Sequence, residues 1–203
     1  LTYHISQDGY IRLEWSGVFV GPAPKHLPKI GLQLEASKSF SNVTYKGEGP
    51  GECYRDSREN AYAGVYSMPY EQLSFPYMVP QENGNRTNVS WASLSGEKGG
   101  IQFASENMDF SVRDTTDIEL NRAKHQADLK KASNLIVNCD MINSGLGSQS
   151  CGPDRMNQYK AITKNFTFDL VIKPFALTKG CVDVENEIIE AAKLLAYRIE
   201  ESR

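Results

Sequence analysis

Two carboxylates stand in a glycine-rich stretch, Gly47-Glu-Gly-Pro-Gly-Glu-Cys-Tyr-Arg-Asp56, and a loop of this composition can present both to a substrate. Paired carboxylates perform glycoside hydrolysis, one as the acid and the other as nucleophile or base. Acidic residues are also common in turns, where they accept backbone hydrogen bonds. The turn interpretation of Glu52 and Asp56 is therefore favoured, and catalysis is the sharper alternative.

A second polar cluster, Glu82-Asn-Gly-Asn-Arg86, follows Pro80. Its acid, two amides and guanidinium supply enough donors and acceptors to hold sugar hydroxyls. The same residues also make a sound turn, in which Gly84 has a positive φ and Arg86 pairs with Glu82. We favour the turn, so Pro80, Glu82, Asn83, Gly84 and Arg86 are interpreted as a structural motif.

A third stretch, Ser144-Gly-Leu-Gly-Ser-Gln-Ser-Cys-Gly-Pro153, is rich in small residues. It lacks the Gly-Lys-Ser/Thr ending and the helical start of a phosphate-binding loop. The stretch indicates a tight turn in which Cys151 is a buried thiol. Its structural positions are Gly145, Gly147, Gly152 and Pro153.

Composition limits the classes of partner. The chain has 203 residues, 40% of them hydrophobic, and a net charge of -3, so it can bury one sizeable core and lacks a basic footprint for nucleic acid. It contains no apolar run long enough to cross a bilayer. Its four cysteines show no zinc-like spacing and predict free thiols in a reducing compartment. We expect a soluble cytoplasmic protein that binds neither membrane, nucleic acid nor metal.

Short alternating runs separated by glycine, proline and asparagine position these motifs. The alternation predicts half-buried strands, and their frequency predicts a mainly β protein folded as an antiparallel β-sandwich. The predicted strands are Tyr10–Trp15, Ile30–Leu34, Val43–Tyr45, Ile101–Phe103, Met108–Val112, Leu135–Val137 and Phe166–Ile172.

Two segments depart from this pattern. Residues Asp117 to Ser133 have a helical composition, although a short helix ending near Ala123 and a strand from His125 would fit as well. The tail predicts an amphipathic helix capped by Asp183, with apolar positions at Val184, Ile188, Ala191, Leu195 and Ile199. Its polar face, which includes Glu187, is too acidic for anionic lipid, so we expect it to dock on a sheet or a neighbouring domain.

Five blocks of the chain carry a family resemblance. They are His26–Leu34, Gly47–Asp56, Tyr77–Arg86 with Trp91, Leu120–His125 and Gly145–Pro153. In their order and spacing, from about residue 5 to residue 173, the chain resembles the C-terminal β-sandwich, or small-chain domain, of the β-galactosidases in glycoside hydrolase family two. The resemblance implies a galactose-mutarotase-like supersandwich with a C-terminal α-helix.

The resemblance also implies a function. Such a domain packs against a catalytic barrel and lends loops to the active-site rim of an enzyme that hydrolyses terminal non-reducing β-D-galactosides with retention. The catalytic glutamates, and the magnesium and sodium that the complete enzyme typically uses, belong to the catalytic domain. We therefore expect no catalytic residue, metal ligand or cofactor in this chain, and a homo-oligomer for the complete enzyme.

Substrate-binding positions carry over from the resemblance. Gly49 and Glu52 match a mobile loop that closes near bound sugar. Cys151 falls where some members place an aromatic residue under the aglycone, and a sulfur offers less apolar area for stacking than an indole ring. Ser148, Gln149 and Ser150 are expected along the same rim. Glu48 departs from the family pattern, which has an arginine or an apolar residue there.

The resemblance sets the expected organisation. Residues 1-178 form the sandwich, N-terminally incomplete because the family domain begins several strands upstream of Leu1, and residues 179-203 form the helix. An incomplete sandwich would be marginally stable or self-associate. The alternative function is a free-standing β-sandwich that binds carbohydrate or protein without catalysis.

Overall fold

A computed structural model of the chain describes residues 1–147, 152–176 and 184–201. The described strands are β1 (Thr2–Ile5), β2 (Ile11–Gly17), β3 (His26–Leu27), β4 (Lys29–Ala36), β5 (Asn42–Gly49), β6 (Tyr62–Pro69), β7 (Arg86–Gly96), β8 (Gly99–Arg113), β9 (Leu135–Asn143), β10 (Ala161–Ile162) and β11 (Phe166–Ala176). The described α-helices are α1 (Asp117–Arg122) and α2 (Val184–Glu201). Six of the seven strands predicted from alternation lie within these elements, and the seventh, Tyr10–Trp15, overlaps β2 from Ile11 onward. The seven predictions are confirmed, although Ile101–Phe103 and Met108–Val112 are parts of one strand, β8.

The strands form an antiparallel sandwich in which β8 belongs to both layers. One layer has the order β1-β2-β11-β8-β7-β5-β6, and β9 and β4 continue from β8 on the other side. The first half of β8 pairs with β11 at Ala104 and Val171, whereas its second half pairs with β9. The predicted antiparallel β-sandwich is confirmed.

The core lies between the two layers and follows the period of two along the strands. Leu170 of β11 and Leu94 of β7 face Val137 of β9 within one buried cluster. Phe110 of β8 is also fully buried in that cluster. Each such side chain contributes about 1.5–3 kcal/mol to stability through its burial.

Strands β6 and β7 were not predicted. In β7 the period of two is hidden, because Arg86, Thr87 and Ser93 are polar and yet buried. Each of them has a hydrogen-bond partner from a distant part of the chain, and Ser93 Oγ donates to the Glu187 carboxylate at 2.7 Å. A sequence window of β7 therefore carries little hydrophobic signal.

Of the two interpretations of residues 117–133, the short helix is right. Helix α1 is capped by the Thr116 hydroxyl, which accepts from the Glu119 N–H, and it ends before Ala123. The prediction of a strand from His125 is wrong, as is that of a longer helix. Asp128 instead accepts hydrogen bonds from the backbone N–H groups of Lys124 and His125, which holds the chain in a short 3-10 turn.

The tail forms α2, inside the predicted range 179-203, and it packs on the outer face of β7, β8 and β11 as predicted for a sheet-docked helix. The buried stripe differs from prediction. Glu187 is fully buried and Ile188 is 41% exposed. Ser93 donates to Glu187 Oε2 and Gln102 donates to the Glu187 backbone carbonyl, whereas Glu187 Oε1 is buried without a hydrogen-bond partner among the described residues. The predicted domain boundary lies outside the described residues.

Candidate functional site

Three segments meet at one end of the sandwich and contain most of the positions predicted from the sequence. The first, residues 50–58, follows β5, the second, residues 75–85, precedes β7, and the third is the loop after β9. Carboxylates of the first segment hold the other two.

Asp56 holds the loop after β9. Its Oδ2 accepts from the backbone N–H of Gly147 at 2.7 Å and its Oδ1 from that of Leu146 at 3.2 Å. Gly145 lies directly beneath the carboxylate, and a Cβ there would be 2.3 Å from Asp56 Cγ. Only glycine permits this approach, and Gly147 has a positive φ of 69°. The turn interpretation of Asp56 is therefore the one that the geometry supports.

Glu52 holds the segment before β7. One carboxylate oxygen accepts from the Tyr77 hydroxyl and the other from the Gly84 N–H at 2.9 Å. Gly84 has the positive φ that the sequence predicts, 77°. Burial, and then the neighbouring Glu52 carboxylate, raise the pKa of Tyr77, so this phenol remains a neutral donor.

Gly49 and Glu48, at the end of β5, anchor the start of the first segment. A Cβ on Gly49 would lie 2.2 Å from the Tyr45 hydroxyl oxygen, so the position needs glycine. Glu48 accepts hydrogen bonds of 2.7 Å from Thr87 Oγ1 and Asn88 Nδ2 and pairs with Arg58. Burial acts to raise the pKa of Glu48, but the bonds from these three residues lower it to about 2.

Arg86 does not pair with Glu82, so that prediction is wrong. Arg86 is buried, and its guanidinium donates to the Tyr45 hydroxyl at 3.0 Å and to the carbonyls of Gly84 and Asn85. These acceptors close around the guanidinium, so no room remains for a carboxylate. Arg86 therefore fixes the turn that precedes β7 from inside.

The rest of the polar motif supports the same turn. The Asn83 side chain accepts from the Phe75 N–H and donates to the Gln81 carbonyl. Pro80 is buried at the start of the motif, and Glu82 lies on the other side, 3.5 Å from Arg113 Nη1. These contacts leave Glu82 as the member of the motif that faces partly toward solvent.

A cleft of about 480 Å³ opens between the first segment and the loop after β9. Two aromatic side chains, Tyr77 and Tyr159, line this cleft. Its lining also includes Asp56, Gly147, Pro153 and Arg155. Aromatic faces beside polar groups suit a ligand that has both C–H faces and hydroxyl groups.

Two buried carboxylates lie beneath these segments. Asp109 on β8 and Asp140 on β9 are directly opposite each other in the sheet and are only 2% and 3% exposed. Burial raises the pKa of Asp109 to about 6, although Arg55, the Asn143 N–H and the Asn85 side chain act to lower it. Asp109 Oδ2 accepts from that N–H at 2.7 Å.

Asp140 is held in a similar environment. Burial raises its pKa to about 7, against the lowering effect of Lys29. Asp109 and Glu82 reinforce the rise, and Arg113 opposes it. Burial and mutual repulsion thus raise both pKa values, so that the pair takes up protons at a higher pH than exposed aspartates do.

Comparison with known protein families shows which family the chain belongs to. Residues 1–172 match the family described as the β-galactosidase small chain. The chain belongs to this family. The β-galactosidase small-chain resemblance stated from the sequence blocks is thereby confirmed.

Several curated relatives of this small chain are β-galactosidases. That of Actinobacillus pleuropneumoniae is 32% identical over 173 residues, which cover 84% of this chain and 17% of the relative. That of Kluyveromyces lactis is 30% identical over 74% of this chain and 15% of the relative, and that of Lactobacillus delbrueckii subsp. bulgaricus is 40% identical over 55% and 11%. The small chain thus spans less than a fifth of the length of these relatives.

The structure brings together Gly49, Glu52, Gly145, Gly147 and Pro153 around the three segments. Gly152 lies exposed beside Pro153. The predicted rim residues Ser148, Gln149, Ser150 and Cys151 lie outside the described residues and stay predictions. Of the four cysteines, Cys53 and Cys139 fall in the described part, where both are free and buried.

The sequence analysis missed the charged residues beneath the loops. Asp140 stands in a mainly apolar strand, which is a signal of a buried acid, but nothing local identified its neighbours Lys29 and Arg113. In the described part of the small chain, no group of three or more His, Cys, Asp or Glu side chains is arranged to hold a metal ion. Within the same residues, no helix is both long and apolar enough to cross a membrane.

Proposed function

We propose that this chain is the C-terminal sandwich domain of a β-galactosidase that hydrolyses terminal non-reducing β-D-galactosides. In this proposal the chain packs on a catalytic barrel and shapes the rim and aglycone part of its active site. The observation that carries the proposal is the family match over residues 1–172, together with relatives of which the chain covers less than a fifth.

The geometry of the loops supports an accessory role. Glu52 and Asp56 use their carboxylate oxygens as acceptors for the N–H groups of Gly84, Leu146 and Gly147. A carboxylate bound in this way positions backbone and is poorly placed to transfer a proton to a glycosidic oxygen. The proposal therefore assigns catalysis to none of the residues of this chain.

The proposal also assigns the metal ions and the substrate contacts of the complete enzyme. The resemblance places magnesium and sodium on the catalytic domain, and the described residues of this chain offer no alternative cluster for a metal ion. The galactoside substrate contacts this chain at the shared rim, where Gly49, Glu52 and residues 148–151 are proposed to lie. Assembly into a homo-oligomer is proposed for the complete enzyme.

Hydrolysis of a chromogenic β-galactoside tests the proposal, with the 203-residue chain and the full reading frame that encodes it assayed side by side. Turnover only by the longer protein is the expected result. Turnover by the short chain that is lost in Glu52→Gln or Asp56→Asn would place catalysis here and overturn the proposal. A reading frame without a catalytic barrel would overturn it too, in favour of a free-standing module.

A further inference from the structure

Four charged side chains form a closed ring at the junction of β4, β8, α1 and the turn before β7. Lys29 Nζ lies 3.0 Å from Asp117 Oδ2 and 3.6 Å from Glu82 Oε2. Arg113 contacts the same two acids, at 3.5 Å from Glu82 Oε1 and through an ion pair with Asp117. Each charge in the ring thus has two neighbours of opposite sign, and the ring is neutral as a whole.

A cleft of about 380 Å³ opens onto this ring. Lys29, Glu82 and Asp117 form one side of it, and Pro28 and Leu120 form apolar walls. Its volume lies at the lower end of the range for small-molecule sites. None of its lining residues belongs to the cleft between Asp56 and Tyr159.

Asn143 supplies the observation that points to a ligand. Its side chain lines the cleft, the residue is only 4% exposed, and its Nδ2 has no hydrogen-bond partner among the residues that the structure describes. An unsatisfied buried donor costs about 1–3 kcal/mol. A site that retains such a donor is suited to an acceptor supplied from outside.

The position of this amide is fixed in advance. Asn143 is directly opposite Lys29 in the β4–β9 pairing, so the two side chains leave the sheet next to each other. The Asn143 backbone N–H is bound to Asp109 Oδ2 at 2.7 Å, which holds the end of β9 in place. Two donors are therefore held side by side, and binding would cost little side-chain ordering.

We propose that this cleft binds a polyhydroxy compound of about monosaccharide size. Hydroxyl oxygens accept hydrogen bonds from the Asn143 amide and Lys29, and hydroxyl protons are donated to Glu82 and Asp117. Pro28 and Leu120 contact the C–H face of the ring. The cleft wall itself carries Lys29 with two acids, Glu82 and Asp117, so its net negative charge favours a neutral polyol over an anion.

A titration of the 15N-labelled chain with D-galactose tests this inference directly. The side-chain amide signal of Asn143 is expected to shift saturably, with the millimolar affinity typical of a small polar ligand. Inorganic phosphate serves as the anion probe and is expected to leave the signal unchanged. A shift with phosphate and none with the sugar would show an anion site and overturn the proposal, as would no shift with either probe.

Two variants test the location. Asn121→Trp places a large ring at the mouth of the cleft from an exposed position on α1, replaces no member of the charge ring, and is expected to weaken galactose binding at least about tenfold. Arg122→Trp, on the next residue, is the matched control, because Arg122 is exposed and is not part of the cleft wall. Equal binding by wild type and Asn121→Trp would contradict the assignment.

Asn143→Ala gives a third arm, with an expected loss of about tenfold in affinity, equivalent to one hydrogen bond. Thermal melts of each variant verify that the fold persists, and Asn121→Trp carries the test if Asn143→Ala unfolds. The outcome is separable from the proposed β-galactosidase role, because hydrolysis by the full reading frame is measured independently of binding at this cleft.

Discussion

The Asp56 carboxylate and the Gly147 backbone N–H are joined by a hydrogen bond of 2.7 Å across two loops that are far apart in sequence. The contact exists because Gly145 leaves space for the carboxylate to reach the backbone beyond it. One side chain thus sets the position of the loop that leads into the predicted rim residues 148–151. The position of this loop therefore depends on Asp56 together with the glycines at 145 and 147.

Removing the Asp56 carboxylate should loosen that loop. Asp56→Ala leaves two backbone N–H groups without their acceptor, so we expect a loss of about 1–3 kcal/mol in the free energy of unfolding, measured with urea. Asp154→Ala is the matched control in the same cleft, since Asp154 is exposed and pairs with Lys160 at the surface. An equal loss in the two variants would contradict the positioning role of Asp56.

Glu48 should make the protein sensitive to acid. Its folded pKa of about 2 lies below the value of about 4.3 for an unfolded chain, so its stabilisation is complete above that unfolded value and is lost as the pH falls toward 2. We expect Glu48→Gln to lose up to about 3 kcal/mol at pH 7 and much less near pH 2. Urea unfolding across this pH range provides the measurement, and a pH-independent loss would refute the linkage.

Asp109 and Asp140 should act in the opposite direction. Their folded pKa values of about 6 and about 7 lie above the unfolded value, so the native state binds protons more tightly. Their stabilisation is present below about pH 4 and is lost as the pH rises through 6 and 7. Stability should therefore fall between about pH 4 and pH 7, by at most about 1.4 kcal/mol per pH unit for each carboxyl, and level off above pH 7.

The pair of variants Asp140→Asn and Asp8→Asn isolates this effect. Asp140→Asn fixes a neutral side chain at the buried position and should flatten the pH dependence. Asp8 is exposed, so Asp8→Asn should leave the wild-type slope unchanged. A slope in Asp140→Asn as steep as in wild type would show that the buried pair is not its source.

Docking of α2 can be followed through the tryptophan beneath it. Trp91 of β7 is 2% exposed and packs in a cluster with Ala191 and Leu194 of the helix. Leu194→Ala should weaken this contact by about 2–5 kcal/mol and expose Trp91 to water. The measurement is a red shift of Trp91 emission, made in a Trp15→Phe background so that one indole reports.

Lys193→Ala is the control for the helix, because Lys193 pairs with Glu190 on the exposed side of α2. It should leave the emission of Trp91 where it is in the parent protein. Identical spectra for Leu194→Ala and the parent would mean that the helix does not depend on this buried leucine.

Strands with alternating apolar residues could be predicted from the sequence, whereas contacts between residues far apart in the chain could not. Strands such as β4 and β11 were evident because apolar residues alternate along them. Strand β7 was hidden because buried Ser93 is satisfied by Glu187, a residue of the C-terminal helix. Pairing between distant segments also decided that Glu82 meets Arg113 instead of the nearby Arg86.

The site followed the same rule. Positions for Glu52, Asp56 and the two glycine-rich loops could be predicted because each motif is contiguous in the chain. The buried carboxylates and the charge ring could not be predicted, because their members lie on different elements of the fold. These residues become neighbours only when β4, β8 and β9 pair in the sheet.

A strand shared by both layers has a mechanical consequence. Strand β8 passes from one layer of the described sandwich into the other. The two layers therefore share one continuous backbone segment and cannot separate as two independent sheets. Separating the layers requires breaking the backbone hydrogen bonds that β8 makes with β11 or with β9. The described sandwich should therefore resist shear as one unit, because β4 is connected to β11 through the hydrogen-bonded pairings with β9 and the continuous strand β8.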